Sequence, residues 1–209
     1  MSRKEILKEM LRDLIPMING HWWLCGGGML GLARDGDLID WDNDLDIMIL
    51  PNTEIGLPNS SNYGLQKYYM DTKFYRKDLP VYKPNLWNEY LRFYSYGKKL
   101  NRPTLYAQAS KSYKQERITP RFSEPYIDIY TLQKVEGGWV IPHWEHQVYT
   151  DMELLTPTRN LDLGFEVLMP SNLPDVCRRC YGENWKVPIP DEWKEKQRLA
   201  SVAKNGTEE

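Results

Sequence analysis

The chain has 209 residues, of which 41% are hydrophobic and 27% are charged, so it can bury the core of one domain and wholesale disorder is excluded. The formal net charge of -2 lacks the basic excess typical of proteins that bind nucleic acid. Three cysteines do not suggest a disulfide framework. The sequence shows no signal peptide and no apolar run long enough to span a membrane. We therefore expect a cytoplasmic protein that is at most peripheral to a membrane.

The N-terminal region predicts a helix followed by a buried strand. Residues 2–19 carry apolar side chains at helical spacing, and Ser2 with Glu5 forms a capping-box pattern. Pro16 should kink or tighten the last turn. Residues 22–25 are an apolar run typical of a buried strand.

The remaining predicted elements are mostly strands. Apolar runs, alternation and turn residues indicate their positions. We expect strands at 45–50, 91–96, 126–131, 139–141 and 165–169. We also expect one or two helical turns at 29–33 and a helix at 173–181 that ends at Gly182. A loop at 51–64 and a hairpin turn at Gly137-Gly138 connect these elements. We expect one domain over residues 1–195 and a polar, frayed tail over 196–209.

Three consecutive glycines, Gly26 to Gly28, follow the first predicted strand. Without a Cβ, their backbone N–H groups can approach phosphate oxygens closely. Gly26, Gly28 and Gly31 also match the dinucleotide fingerprint, but the following helix is too short before Gly36 and no βαβ alternation continues. We interpret the glycines as a phosphate-binding turn; a tight turn with no ligand is the alternative.

Two acids, Asp44 and Asp46, begin the clearest strand. Residues i and i+2 of a strand share a face, which places this pair roughly 6.5–7 Å apart along the backbone. Two carboxylates so close repel each other, and a divalent cation relieves that repulsion. An EF-hand is excluded because its sixth and twelfth positions are Ile47 and Thr53. A solvated acidic turn remains as the alternative.

A lone acid, Asp128, lies inside the apolar strand at residues 126–130. A buried carboxylate needs a cation or a hydrogen-bond donor, because burying it without a partner is costly. Placed beside Asp44 and Asp46, it would complete a three-carboxylate metal site. A hydrogen-bonded or salt-bridged structural Asp is the alternative.

Two further residue pairs, one of cysteines and one of histidines, are weaker candidates for metal or redox sites. Cys177 and Cys180 have the spacing of some zinc or redox sites, but no second pair exists, which favours an ordinary helical pair. His143 and His146 could bind metal, but the sequence favours a polar surface pair. The sequence has no convincing nucleophile elbow or Walker A loop.

Residues 27–47 resemble the signature of the LicD family, which includes bacterial phosphorylcholine transferases and the fukutin-related proteins. The shared features are the paired glycines, an arginine at Arg34, the tryptophan Trp41, and an acidic run ending in Asp46-Ile47. Met29, Asp40 and Asn43 depart from the family pattern. Residues 155–157, 167–170 and 179–185 resemble the family's C-terminal end more loosely, and no likeness is found over 51–125.

The resemblance implies an α+β fold, a nucleotidyltransferase-like mixed β-sheet flanked by helices. It also implies two acids on one strand and a third on a neighbouring strand, which bind Mg²⁺ or Mn²⁺. Carried over to this sequence, the catalytic and metal-binding residues are Asp44, Asp46 and Asp128, and the substrate-binding residues are Gly27, Gly28, Arg34 and Asp42.

The activity that the resemblance implies is transfer of phosphocholine or a polyol phosphate from a CDP-linked donor to a glycan hydroxyl, with release of CMP. Asp128 is the candidate to accept the hydroxyl proton. The alternatives are a nucleotidyltransferase that moves NMP from an NTP to a small molecule or sugar, a metal-dependent glycosyltransferase, and a non-catalytic nucleotide- or glycan-binding remnant. We expect no nucleic-acid partner and no transmembrane segment.

Overall fold

The fold is known from a computed structural model, which describes residues 2–42, 44–56, 63–71, 87–95, 125–141, 144 and 147–189, with backbone only for 63–71 and 87–95. Asn43, His143, His146 and the predicted tail at 196–209 lie outside the described residues. Within the described ranges, no helix has the length and apolarity needed to cross a bilayer.

Helices and strands alternate irregularly along the described chain, which confirms an α+β fold. In chain order the elements are α1 (Arg3–Leu14), a 3₁₀ turn (Ile15–Met17), β1 (Ile18–Asn19), β2 (Trp22–Cys25), α2 (Gly26–Asp35), β3 (Asp44–Ile49), β4 (Glu54–Ile55), β5 (Tyr63–Asp71), β6 (Trp87–Ser95), β7 (Tyr126–Thr131), β8 (Gln133–Val135), β9 (Gly138–Val140), α3 (Asp151–Leu155), β10 (Thr158–Asn160), β11 (Val167–Met169) and α4 (Leu173–Tyr181).

The first helix begins where the apolar spacing predicts it but ends at Leu14 and not at residue 19, because a 3₁₀ turn and strand β1 follow. The Ser2 side chain accepts a hydrogen bond from the Glu5 backbone N–H at 3.2 Å, which caps the helix N-terminus. Pro16 lies in the 3₁₀ turn that tightens the helix end, as expected for a residue without a backbone donor. The buried face of α1 packs against β7 and consists of Leu7, Met10, Leu11 and Leu14.

The main sheet has five strands in the order β2-β3-β7-β6-β5. The β3–β7 pair is parallel, and the other pairs are antiparallel, so the sheet is mixed. Ile47, Ile127 and Ile129 are fully buried and contribute one face of β3 and β7 to the core. Helix α2 packs against β2 and β3, and α4 contacts α2.

One row of residues crosses the sheet from edge to edge. Successive pairings join Cys25 of β2 to Asp46 of β3, Asp46 to Asp128 of β7, Asp128 to Arg92 of β6, and Arg92 to Gln66 of β5. We call these five residues the Asp46 row. Members of such a row belong to the same face of the sheet, because residues directly opposite each other share a side.

The C-terminal elements are fastened to the main sheet and to each other by polar contacts. The Trp23 indole N–H donates to the Leu154 carbonyl at 3.1 Å, which joins β2 to α3. Glu153 is buried and completes a capping box with Thr150 at the start of α3. Its carboxylate also accepts hydrogen bonds from the Arg179 guanidinium of α4 at 2.8 and 3.0 Å.

Some boundaries differ from the sequence-based expectations. Helix α2 begins at Gly26 and not near residue 29, so it includes the three glycines despite their low helix propensity, with Gly26 itself at positive φ. The predicted loop at 51–64 contains β4, which pairs with β1. Both strands have only two residues, so neither carries enough sequence for a periodic pattern. The hairpin turn precedes Gly138, between β8 and β9.

Candidate metal centre

Three carboxylates meet where β3 and β7 lie side by side. Asp44 and Asp46 occupy alternate positions of β3, and Asp128 is the direct partner of Asp46 on β7. One oxygen from each of these three residues lies within 4.8 Å of the other two. The structure therefore brings together the three acids that the sequence predicts as a set.

The electrostatic environment of this cluster opposes full ionisation. Burial raises the pKa of Asp46 well above its usual value, and the negative charges of Asp44, Asp128 and Asp42 raise it further. Asp128 is the most buried of the three acids, at 4% exposure. Oxygen donors in such an arrangement suit hard divalent cations such as Mg²⁺ and Mn²⁺. The three-carboxylate cluster could therefore hold a metal ion.

A tyrosine on the same strand orients Asp128. The Tyr130 hydroxyl donates a hydrogen bond to Asp128 Oδ2 at 3.3 Å. The Tyr130 ring packs at 5.3 Å from the Trp144 ring, which restricts its rotation. Tyr130 was not among the residues predicted from the sequence, although its i+2 spacing from Asp128 indicates a shared face.

The glycines at the start of α2 pack directly against the acidic cluster. Gly26 has φ +57°, and a Cβ at this position would collide with the Asp46 carboxylate. A Cβ on Gly27 would collide with the Asp42 carboxylate. Asp42 is placed there by a tight turn in which its backbone N–H donates to Ile39 at 3.2 Å. Glycine is required at Gly26, where φ is positive and the Asp46 carboxylate approaches the backbone, whereas a Cβ on Gly27 would displace the Asp42 side chain.

The third glycine, Gly28, has a different environment. It is buried, and a Cβ there would lie 2.9 Å from a methyl of Leu45 and 3.1 Å from one of Leu24. Substitution of Gly28 would therefore disturb core packing, a consequence that the phosphate-binding interpretation did not include.

Comparison with known protein families matches residues 19–172 to the family described as LicD/FKTN/FKRP, nucleotidyltransferase domain. This match covers well over half of the 209 residues. The chain belongs to the LicD family. No curated protein matches the chain closely enough to be reported as a relative. Membership supports a transferase that acts on a phospho-linked group.

The LicD match extends beyond what inspection of the sequence had found. It runs through residues 51–125, for which no likeness was evident, and ends before the loosely similar segment at 179–185. The confirmed family assignment therefore rests on residues 19–172, and only the likeness at 179–185 stays a prediction.

Within this LicD-family chain, Arg34 lies apart from the acidic cluster. It is in the last turn of α2, roughly 10 Å along the helix axis from Gly27. Its guanidinium makes two parallel contacts with the Asp35 carboxylate, at 2.9 and 2.6 Å. The structure thus brings Gly27 and Asp42 to the three acids but leaves Arg34 paired elsewhere, and its phosphate contact stays a prediction.

The two C-terminal cysteines have the environment of structural residues. Cys177 and Cys180 are free thiols on α4. Burial raises the pKa of Cys177 to about 12 and that of Cys180 to about 11. A reactive thiol has a lowered pKa, so this environment favours the ordinary helical pair expected from the sequence.

Proposed function

We propose that this LicD-family protein has a nucleotidyltransferase-like active site that transfers phosphocholine or a polyol phosphate from a CDP-linked donor to a glycan hydroxyl. The observation that carries the proposal is the meeting of Asp44, Asp46 and Asp128 beside the glycine-rich start of α2. A cation held by the three acids would supply positive charge, and the helix N-terminus offers backbone donors, so the arrangement suits a donor with phosphate oxygens.

The start of α2 supports donor binding. The N-terminus of a helix carries unpaired backbone N–H groups and a partial positive charge, and both favour phosphate. The N-cap residue of α2, Cys25, provides no side-chain cap. Gly27 offers no side chain that could block an approaching diphosphate. In the proposal, the backbone of this turn contacts the donor pyrophosphate.

Asp44, Asp46 and Asp128 would hold Mg²⁺ or Mn²⁺. When bound, such an ion neutralises the charge that develops on the phosphoryl oxygens and lowers the barrier to displacement. The closeness of the three carboxylates and the raised pKa of Asp46 support this fit, because a cation removes the repulsion between the acids.

Asp128 is the proposed proton acceptor. Its Oδ2 accepts a hydrogen bond from Tyr130, and its carboxylate lies in the three-acid cluster, where an acceptor hydroxyl would approach the donor phosphate. The hydroxyl oxygen forms a bond to the distal phosphorus while the bond from that phosphorus to the CMP oxygen breaks. The proton passes to Asp128, and CMP leaves with the electron pair of the broken bond.

A nucleotidyltransferase is the second candidate, and the description of the matched family favours it. The same carboxylates would serve the displacement, but the nucleotide would remain on the product and an NTP donor would release pyrophosphate. The identity of the leaving group therefore separates the two candidates.

Product analysis by mass spectrometry tests both candidates. The protein is incubated with Mg²⁺ or Mn²⁺, a panel of sugar acceptors, and either CDP-choline, CDP-polyols or NTPs. We expect CMP and a phosphorylated-alcohol adduct of the acceptor from a CDP-linked donor. Pyrophosphate and a nucleotide adduct would favour the second candidate. Equal product from wild type and Asp46→Asn would contradict both.

A further inference from the structure

Arg92 occupies an unexpected position in the main sheet. It is the direct β6 partner of Asp128, which is itself the direct β7 partner of Asp46. The pairing therefore places one arginine in the Asp46 row, next to the carboxylate cluster. Nothing in the sequence around Arg92 indicates this neighbourhood, because it depends entirely on strand register.

The face of the sheet that carries the acids differs in composition from the opposite face. On β7 the acid-bearing face holds Tyr126, Asp128 and Tyr130, whereas the opposite face holds Ile127 and Ile129. Tyr126, Asp128 and Tyr130 are all buried, so the contrast indicates a polar but covered face, whereas the opposite face is apolar.

Strand β6 repeats the same division in register with β7. Tyr90, Arg92 and Tyr94 lie opposite Tyr130, Asp128 and Tyr126, while Leu91 and Phe93 lie opposite the two isoleucines. The polar face thus continues from β7 onto β6 for at least five residues. Arg92 is at its centre, with tyrosines two positions away on each side.

A nucleoside diphosphate brings negative charge to a site that is already acidic. Bound metal would offset part of that charge, and an arginine at the register position opposite Asp128 is suited to offset more. A guanidinium presents donors in a planar fork that matches two phosphate oxygens at once, and it stays ionised beside carboxylates. An arginine in this row is therefore suited to a diphosphate.

We propose that Arg92 is a substrate-binding residue that recognises the diphosphate of the nucleotide donor at the edge of the carboxylate cluster. This inference rests on the proposed function, since it assumes a nucleoside diphosphate donor. It assigns a residue to the middle segment of the chain, in which sequence analysis found no functional residue. The competing role for Arg92 is a structural ion pair with Asp128.

Binding measurements distinguish these roles without requiring the natural acceptor. The variants are Arg92→Gln, Arg92→Lys and the matched control Arg159→Gln, which removes an exposed arginine paired with Glu166 on the β10–β11 hairpin. Calorimetric titrations measure Mn²⁺ alone, and then CDP and cytidine in the presence of Mn²⁺. Comparison of CDP with cytidine isolates the contribution of the phosphates.

We expect Arg92→Gln to raise the dissociation constant of CDP at least tenfold while Mn²⁺ and cytidine binding change less than threefold. Arg92→Lys should fall between it and the wild type, because a lysine keeps the charge but not the fork. Arg159→Gln should bind all three ligands as the wild type does.

Two results would overturn the assignment of Arg92. One is unchanged CDP affinity in Arg92→Gln. The other is parallel loss of Mn²⁺ and CDP binding in Arg92→Gln, which would indicate that Arg92 holds the carboxylates in place. A wild-type protein that binds Mn²⁺ but neither CDP nor NTPs would instead refute the proposed function, and with it the assignment.

Discussion

Asp46 and Asp128 are direct partners in the parallel pairing of β3 with β7, so two acids from strands far apart in sequence share one position across the sheet. Asp44 joins them from the alternate position of β3. The geometry concentrates negative charge at a place where burial already penalises it. Replacing one member of this cluster therefore has opposite effects on folding and on metal binding.

Asp46→Asn should weaken Mn²⁺ binding at least tenfold while leaving the metal-free protein as stable as the wild type or more so. The amide keeps the shape of the side chain but removes a ligand charge and the repulsion from its neighbours. Calorimetric Mn²⁺ titration and urea unfolding in EDTA measure the two effects. Asp162→Asn, at an exposed position, is the control. Wild-type Mn²⁺ affinity in Asp46→Asn would refute the metal site.

Divalent metal should stabilise the wild-type protein by mass action. At a Mn²⁺ concentration one hundred times the dissociation constant, the free energy of unfolding should rise by ~2.7 kcal/mol. Chelation with EDTA should reverse the change. Thermal unfolding followed by circular dichroism provides the measurement, with Asp46→Asn as the variant that should show a smaller response. A metal response of equal size in that variant would place the binding elsewhere.

Gly27→Ala should lose nucleotide binding and Gly28→Ala should lose stability, although the two residues are adjacent. A methyl on Gly27 meets the Asp42 carboxylate, whereas one on Gly28 meets Leu24 and Leu45 in the core. We expect Gly28→Ala to lose about 1–3 kcal/mol of stability through overpacking. Gly27→Ala should stay folded, helped by the higher helix propensity of alanine, and lose nucleotide binding.

Urea unfolding and CDP titration of both glycine variants check this contrast. Nucleotide binding is compared only under conditions in which each variant is folded. If Gly27→Ala binds CDP as the wild type does, the start of α2 has no part in donor recognition.

Glu153→Gln should destabilise the protein by about 1–3 kcal/mol, because the buried carboxylate serves both the α3 capping box and the Arg179 guanidinium. Glu166→Gln removes an exposed carboxylate paired with Arg159 and should cost at most about 1 kcal/mol. Urea unfolding compares the two variants. Equal losses would indicate that burial of Glu153 adds nothing to its ion pair.

The ionised Asp37 side chain should contribute to the free energy of unfolding near neutral pH and lose that contribution in acid. Its partial burial opposes ionisation, but hydrogen bonds from Lys8 and Lys4 outweigh that effect and lower its pKa from 3.8 to about 2. The folded-state pKa lies below the unfolded one, so the contribution is complete above about pH 4 and is lost as the pH falls towards 2. Because Asp37 is about one-third exposed, we expect about 1 kcal/mol or less.

Urea unfolding of the wild type and Asp37→Asn at pH 6 and pH 2.5 tests the acid dependence. Asparagine keeps an oxygen that can accept the hydrogen bond from the Leu38 N–H, seen at 2.7 Å in the wild type. The stability difference between the two proteins should shrink at the lower pH. A constant difference would show that the ion pairs with Lys4 and Lys8 contribute nothing.

Local patterns in the sequence were sufficient for α1, β2, β3, β7 and α4, because each has its own periodicity or an unbroken apolar run. They also identified the three acids as a set. Direct pairing of Asp46 with Asp128 could not be derived locally, since register between distant strands depends on tertiary contacts. The position of Arg92 opposite Asp128 could not be derived for the same reason. The early start of α2 was missed because glycine has a low helix propensity, and the close approach of Asp42 and Asp46 to this backbone depends on tertiary packing.

The parallel pairing of β3 with β7 also bears on the order in which the chain folds. Residues 50–125 separate the two strands, so their contact closes a long loop and has a high entropic cost. Contacts of this kind form slowly and late compared with hairpins and helices. During synthesis, a nascent chain that has exposed Asp44 and Asp46 still lacks Asp128. Capture of Mn²⁺ at this cluster would therefore report completion of the central sheet, and its kinetics would follow the last long-range step of folding.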